Sequence, residues 1–127
     1  MSEKLTYIIC GKYYDGIEDE LKTDWKILVK GKYIAETGPN LKCPETAEVI
    51  DLSDATVTPG MIDAHMHMDY FDWHTVRQEA YHNSEEMKTI SIIRSANKAL
   101  KRGFTTVRHM GGITSNGYGV FAVRDAI

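Results

Sequence analysis

Histidine is missing from the first 64 residues of this 127-residue chain, and all five copies come later, at His65, His67, His74, His82 and His109. If the chain carries out chemistry, that chemistry belongs to its second half. No apolar run approaches the ~20 residues a membrane-spanning helix needs. The short apolar run at residues 7–10 is far too small to be the core of a secretory leader. There are only two cysteines, Cys10 and Cys43. Set far apart without an export signal, they predict reduced thiols and a cytoplasmic setting rather than a disulfide framework. A net charge of −3 with no basic run excludes the electrostatic footprint of a nucleic-acid or membrane-surface binder. Internal repeats and low-complexity tracts are also absent. What remains is a soluble, globular composition, 43% hydrophobic and 26% charged, long enough to bury a core.

The stretch at residues 58–69, TPGMIDAHMHMD, is where chemistry-bearing residues gather. Pro59-Gly60 reads as a turn and residues 61–67 as a short strand. Alternation along a strand puts Met61, Asp63, His65 and His67 on one face, and Ile62, Ala64 and Met66 on the other. Two imidazoles two residues apart on one strand face can converge on a metal ion. The plainer reading is a pair of histidines satisfied by hydrogen bonds. Asp63 below the pair, Asp69 just beyond it and the position at a strand end favour the metal.

Before this stretch the grammar is that of short strands. Residues 5–10 form a β-rich run that breaks at Gly11, and Asp15-Gly16 signals a turn. Trp25, Ile27 and Val29 alternate with Lys26, Leu28 and Lys30, the period of a half-buried strand. Gly31-Lys32 fits a two-residue hairpin loop with glycine supplying a positive φ. The return strand is residues 33–37, and residues 48–52 and 55–58 make two more. Residues 1–58 are thus predicted as a small antiparallel sheet or β-sandwich without a site of its own.

After residue 59 the pattern becomes strand, helix, strand, helix. Asn83 or Ser84 can cap a helix that has Glu85 and Glu86 at its start and Lys101 and Arg102 at its end. Met87, Ile90, Ile93, Ala96 and Leu100 form its expected apolar stripe, with Ser91, Lys98 and Arg102 towards water. Gly103 stops it. Residues 104–108, FTTVR, make a second strand, and another helix begins near Val120. This is the βα repeat of a parallel sheet, so the fold class is α/β with a boundary between residues 58 and 59.

Catalytic zinc takes about three protein ligands and an open position for water, so two histidines do not complete a site. Zinc suits imidazole, and manganese, iron or cobalt stay open on ligand type. His109, at the end of the second strand, is the leading candidate in the chain for a further ligand. Its plainer role is a residue beside the pocket. His74 and His82 are weaker candidates. The sixteen-residue stretch 68–83 is long for a βα connection, and loops of that length tend to carry function. Asp69 and Trp73 are its candidates for the substrate side of a pocket, with Tyr70, Phe71 and Tyr81 adding aromatic surface. Gly117 to Ala122 matches GxGxxA in letters only. It does not follow the strand directly and no acid lies about 20 residues on, so a nucleotide site is set aside.

These residues together resemble the amidohydrolase superfamily of metal-dependent hydrolases. Pro59-Gly60-Met61-Ile62-Asp63-Ala64-His65-Met66-His67 is similar to its PG-[LMF]-[IV]-D-x-H-x-H signature. Tyr14-Asp15-Gly16, the strand Gly103 to Arg108 with Gly111-Gly112, and Arg124 to Ile127 resemble the imidazolonepropionase-like and Xaa-Pro dipeptidase-like branch. His109 departs from that pattern, since many relatives have Asp after the Arg. The resemblance implies a (β/α)₈ barrel beside a composite β-sandwich, with His65 and His67 as metal ligands on the first barrel strand. It further implies one or two divalent ions, zinc by ligand type, and a small amide, cyclic amide or dipeptide as substrate. A lysine or glutamate, two more histidines and a proton-shuttling aspartate would come from later strands. A barrel takes about 250 residues, whereas 68 follow residue 59. The expectation is therefore an N-terminal portion holding two βα units, inactive by itself, that needs either the rest of the barrel or self-association as a homo-oligomer. No catalytic residue is identifiable. The competing expectation is a non-catalytic module that works by self-association, with metal shared between copies.

Overall fold

The computed structural model describes residues 3–69, 82–112 and 118–127. The chain divides into two compact units, Met1–Pro59 and Gly60–Ile127.

The first unit is a four-stranded sheet of β1 (Leu5–Tyr13), β2 (Lys22–Lys30), β3 (Tyr33–Gly38) and β4 (Glu48–Val57), in the order β3-β2-β1-β4. The alternation seen in the sequence becomes the register: Ile8 lies opposite Ile27 and Ile50, and Cys10 opposite Trp25 and Leu52. The buried residues here are Tyr7, Cys10 and Ile27. The β2–β3 hairpin closes with Lys30 opposite Tyr33, and Gly31 takes φ 61° in the two-residue loop. That conformation is cheap only for glycine.

Two expectations are corrected here. Residues 48–57 form one ten-residue strand instead of two short ones. The register between β1 and β4 shifts from Cys10–Leu52 to Lys12–Thr56, so Gly11 sits against the extra residues and pairing continues past them. A Cβ at Gly11 would run into the Ser53 backbone. The sheet is also mixed, because β1 and β4 run parallel. A period-two pattern fixes which face a residue takes and carries no information about strand direction.

The Asp15-Gly16 turn is clamped by charge. Asp15 Oδ1 accepts from the N–H groups of Ile17 (2.9 Å) and Glu18 (3.0 Å), while Oδ2 lies 2.7 Å from Lys22 Nζ. The Lys22 ammonium stands over the Trp25 ring, on which Tyr13 stacks at 5.9 Å. The Lys22 hydrogen bond, then those from the two backbone groups, hold the Asp15 carboxyl far below the usual carboxylate range.

The second unit runs β5 (Met61–Met66), α1 (Glu85–Lys101), β6 (Phe104–His109) and α2 (Tyr118–Ala126). β5 and β6 pair in parallel, with α1 between them in sequence. The core is Met68, Ile92 and Val123, and Met66, Ala96, Val107 and Val120 pack against it. α2 approaches α1 through Gly119, where a Cβ would stand 2.8 Å from Thr89 Oγ1 and 3.2 Å from Ile92 Cδ1. Helix packing thus accounts for the second glycine of the GxGxxA letters.

α1 begins at Ser84, whose hydroxyl accepts from Met87 N, and Glu85 and Glu86 occupy the first turn, where the helix dipole favours acids. The expected core stripe is corrected. The buried residues of α1 are Lys88, Ser91, Ile92, Ser95 and Ala99, whereas Met87, Ile90, Ile93 and Leu100 are 45–59% exposed. The β-sheet selects the Ile92–Ala99 side of the helix, and Lys88 tolerates burial by pairing with Glu85 at 2.7 Å. The more apolar side has no such cover among the described residues.

Candidate metal and substrate site

β5 ends at Met66, so His65 lies on the strand and His67 just past it. Alternation is interrupted at this end: the β5–β6 register shifts between Asp63 and Met66. Asp63 turns its carboxylate back onto the chain, where Oδ1 accepts from His65 N at 3.0 Å. It therefore braces the strand end on which the histidines sit. The His65 and His67 rings lie edge to face, with centroids 5.4 Å apart.

Strand β6 supplies the opposite wall. Met66 stands across from His109, and Met110 N donates to Met66 O at 2.9 Å, holding the two carboxyl ends side by side. The chain then turns through Gly111-Gly112, which brings Gly111 O to 2.6 Å from His67 Nδ1. A carbonyl only accepts, so Nδ1 carries the proton and the basic lone pair of His67 is on Nε2. Fixing one imidazole nitrogen by a backbone carbonyl is how metal-binding histidines are commonly oriented.

His109 is fixed in the opposite sense. Its Nδ1 accepts from Met68 N at 3.2 Å, and its ring stands edge-on to His67 with centroids 6.4 Å apart. Asp69 is fully buried, packed onto Gly112 so closely that a Cβ there would come within 3.0 Å of all three carboxylate atoms. His65, His67, His109 and Asp69 thus lie along one chain-end region. His82 is exposed. Trp73 and His74, with most of the 68–83 stretch, lie outside the described residues.

For a divalent ion, these residues fit in part. His65 and His67 offer two imidazoles on neighbouring positions, one with its tautomer set for Nε2 ligation. Among the described residues, no three His, Cys, Asp or Glu groups are close enough together to hold an ion. A cavity of about 260 Å³ beside α1, lined by Asp63, Ser95, Lys98, Arg102 and Phe104 among others, includes none of the histidines. Sequence reasoning missed the Gly111 carbonyl and the Gly112 contact, having treated residues 111–119 as a loop. Their signal was the glycine pair immediately after a strand.

Comparison with known proteins places the chain among relatives of known class. A dihydroorotase from Mycobacterium leprae is 43% identical over 42 residues, covering 33% of this chain and 10% of the relative. A dihydroorotase from Geobacter metallireducens is 33% identical over 84 residues, 66% of this chain and 17% of the relative. Among solved structures, a Xaa-Pro dipeptidase with methionine bound in its active site superposes with a TM-score of 0.82 and 31% identity. That match covers 98% of this chain and 30% of the dipeptidase chain. The chain thus spans less than a fifth of these curated relatives and under a third of the dipeptidase. The model of the amidohydrolase family matches residues 56–127, more than half of the sequence and the whole of the second unit, and the chain belongs to that family.

Proposed function

We propose that this chain is the N-terminal portion of a metal-dependent amidohydrolase that cleaves C–N bonds in a small amide, cyclic amide or dipeptide. The observation that carries the reading is the pair His65 and His67 at the carboxyl end of a strand paired in parallel with β6, inside the family match. Carboxyl ends of parallel strands are where βα barrels build their active sites. On this reading β1–β4 are strands of a β-sandwich, and β5-α1-β6-α2 are the first two βα units of a (β/α)₈ barrel. The similarity to dihydroorotases and to a Xaa-Pro dipeptidase supports a small amide or dipeptide as the substrate class.

His65 and His67 would hold a divalent ion, with zinc the metal that best suits two imidazoles. Such an ion supplies acidification of a bound water and polarisation of a carbonyl. Around it, Asp63 braces the His65 backbone, Gly111 O sets the His67 tautomer, and His109 and Asp69 border the substrate side. A cytoplasmic setting suits the two free thiols, Cys10 buried and Cys43 exposed.

Calorimetric titration tests the metal site. One zinc per chain should bind to the wild type, and His65→Ala or His67→Ala should abolish it. The 127-residue chain should show negligible turnover on cyclic amides and Xaa-Pro dipeptides. Robust turnover lost in His65→Ala would refute the reading of an incomplete enzyme. The exposed Met87, Ile90, Ile93 and Leu100 on α1 favour a second reading, a module acting by self-association with shared metal. A monomer whose size is independent of zinc in sedimentation would count against it.

A further inference from the structure

We propose that His109 is a hydrogen-bond donor to a substrate oxygen and not a third metal ligand. The inference rests on the proposed metal-binding role of His65 and His67 and adds the class of atom that meets them. The neutral imidazole has one N–H and one lone pair. His109 Nδ1 accepts from Met68 N at 3.2 Å, which uses the lone pair and puts the hydrogen on Nε2. A metal requires a lone pair, and Nε2 has none to give while that bond holds. His67, across the same strand ends, has the opposite assignment: Nδ1 bears the hydrogen that Gly111 O accepts at 2.6 Å. Two histidines with ring centroids 6.4 Å apart are therefore locked by backbone groups into opposite tautomers, one set to ligate and one to donate.

The locks are built into the chain path. Met68 N belongs to the segment leaving β5, and His109 is the last residue of β6, opposite Met66. The Met110–Met66 bond at 2.9 Å keeps these two points together, so the ring cannot turn without breaking a backbone contact. The half-buried ring borders the same chain ends as the histidine pair. An N–H donor beside an imidazole pair suits an acceptor oxygen that carries or gains negative charge. In amide hydrolysis that is the carbonyl oxygen, and in the product it is a carboxylate.

The tautomers are read directly by long-range ¹H–¹⁵N correlation spectra of the 127-residue chain. His67 should show the Nδ1–H pattern and His109 the Nε2–H pattern. Added zinc should shift the His65 and His67 nitrogens and leave the His109 pattern in place. A His109 Nδ1–H pattern, or a His109 nitrogen that moves to a metal-bound shift, overturns the proposal. If zinc moves no ring, the metal reading fails by itself and the His109 tautomer still decides this one. Acetate, a product-like carboxylate, probes the donor role in the zinc-loaded chain. Its affinity should fall about tenfold in His109→Phe, the loss expected for a hydrogen bond to a charged group, and persist in His109→Gln, which keeps a side-chain N–H. Zinc affinity should be unchanged in both variants. Equal acetate affinity in His109→Phe and wild type, or no acetate binding to the zinc-loaded wild type, overturns the proposal.

Discussion

Gly112→Ala tests whether the turn after β6 is built around the buried Asp69. The added Cβ would fall within 3.0 Å of Oδ1, Oδ2 and Cγ of Asp69, a separation that side chains do not tolerate. An exposed carboxylate could swing away at little cost, but Asp69 is fully buried. Either the Asp69 side chain leaves its site or the turn moves outward. Overpacking of this kind costs about 1–3 kcal/mol. If the turn moves, Gly111 O moves with it and the 2.6 Å contact that orients His67 is lost. Removing such an orienting contact typically lowers metal affinity about 10–100-fold. Urea denaturation followed by circular dichroism should therefore show a lower midpoint for Gly112→Ala. Calorimetry should show weaker zinc binding alongside it. An unchanged midpoint together with unchanged zinc affinity would mean that Asp69 and Gly112 do not constrain each other.

Two further outcomes follow from the packing and the charges. Ile92→Ala removes the fully buried centre of the second unit's core. It should cost about 2–5 kcal/mol in urea unfolding, and a loss below ~1 kcal/mol would place the core elsewhere. Asp15, whose carboxyl is held far below its usual range by Lys22 and the Glu18 and Ile17 N–H groups, should make the first unit acid-sensitive. Because the folded value is the lower one, its stabilisation is complete above the unfolded carboxylate value of about 3.9 and is lost as pH falls towards the folded value. Asp15→Asn keeps an acceptor for the two backbone groups and removes the ion pair. Its melting temperature should fall less steeply with acidification than the wild type's, and parallel curves would refute the assignment.

Local signals in the sequence were strong wherever one residue type has one physical use. Gly31 was readable as a hairpin residue because few others accept its φ. Ser84 and the two glutamates after it were readable as a helix start. That His65 and His67 stand side by side was readable from their spacing of two residues at one strand end. Partner-dependent features were not legible. The parallel pairing of β4 with β1 and the register shift at Gly11 depend on a neighbour far along the chain, as with Cys10 and Leu52. The buried side of α1 was misread because hydrophobicity marks which residues prefer cover, while the sheet decides which are covered. Ser91 and Ser95 are small and buried, and Ile90 and Ile93 are left outside. The opposite tautomers of His67 and His109 depend on a carbonyl and an N–H far away in sequence, at Gly111 and Met68.

The exposed side of α1 and the two-histidine site impose the same requirement. Met87, Ile90, Ile93 and Leu100 are each about half exposed. Full burial of such a side chain contributes about 1.5–3 kcal/mol, so covering the remaining half of all four would add roughly 3–6 kcal/mol. That is comparable with the whole stability of a small domain. The proposed histidine site, for its part, holds two of the roughly three protein ligands that catalytic zinc normally uses, and no described group supplies a third. Further βα units following β6 would meet both needs, the helices covering apolar flanks and the strand ends bringing ligands. A second copy of the chain could cover the flank, but it would have to bring a ligand to the same strand ends through a symmetric contact. The proposed hydrolase therefore accounts for the apolar flank and the partial ligand set with one structural element, whereas self-association needs two separate coincidences.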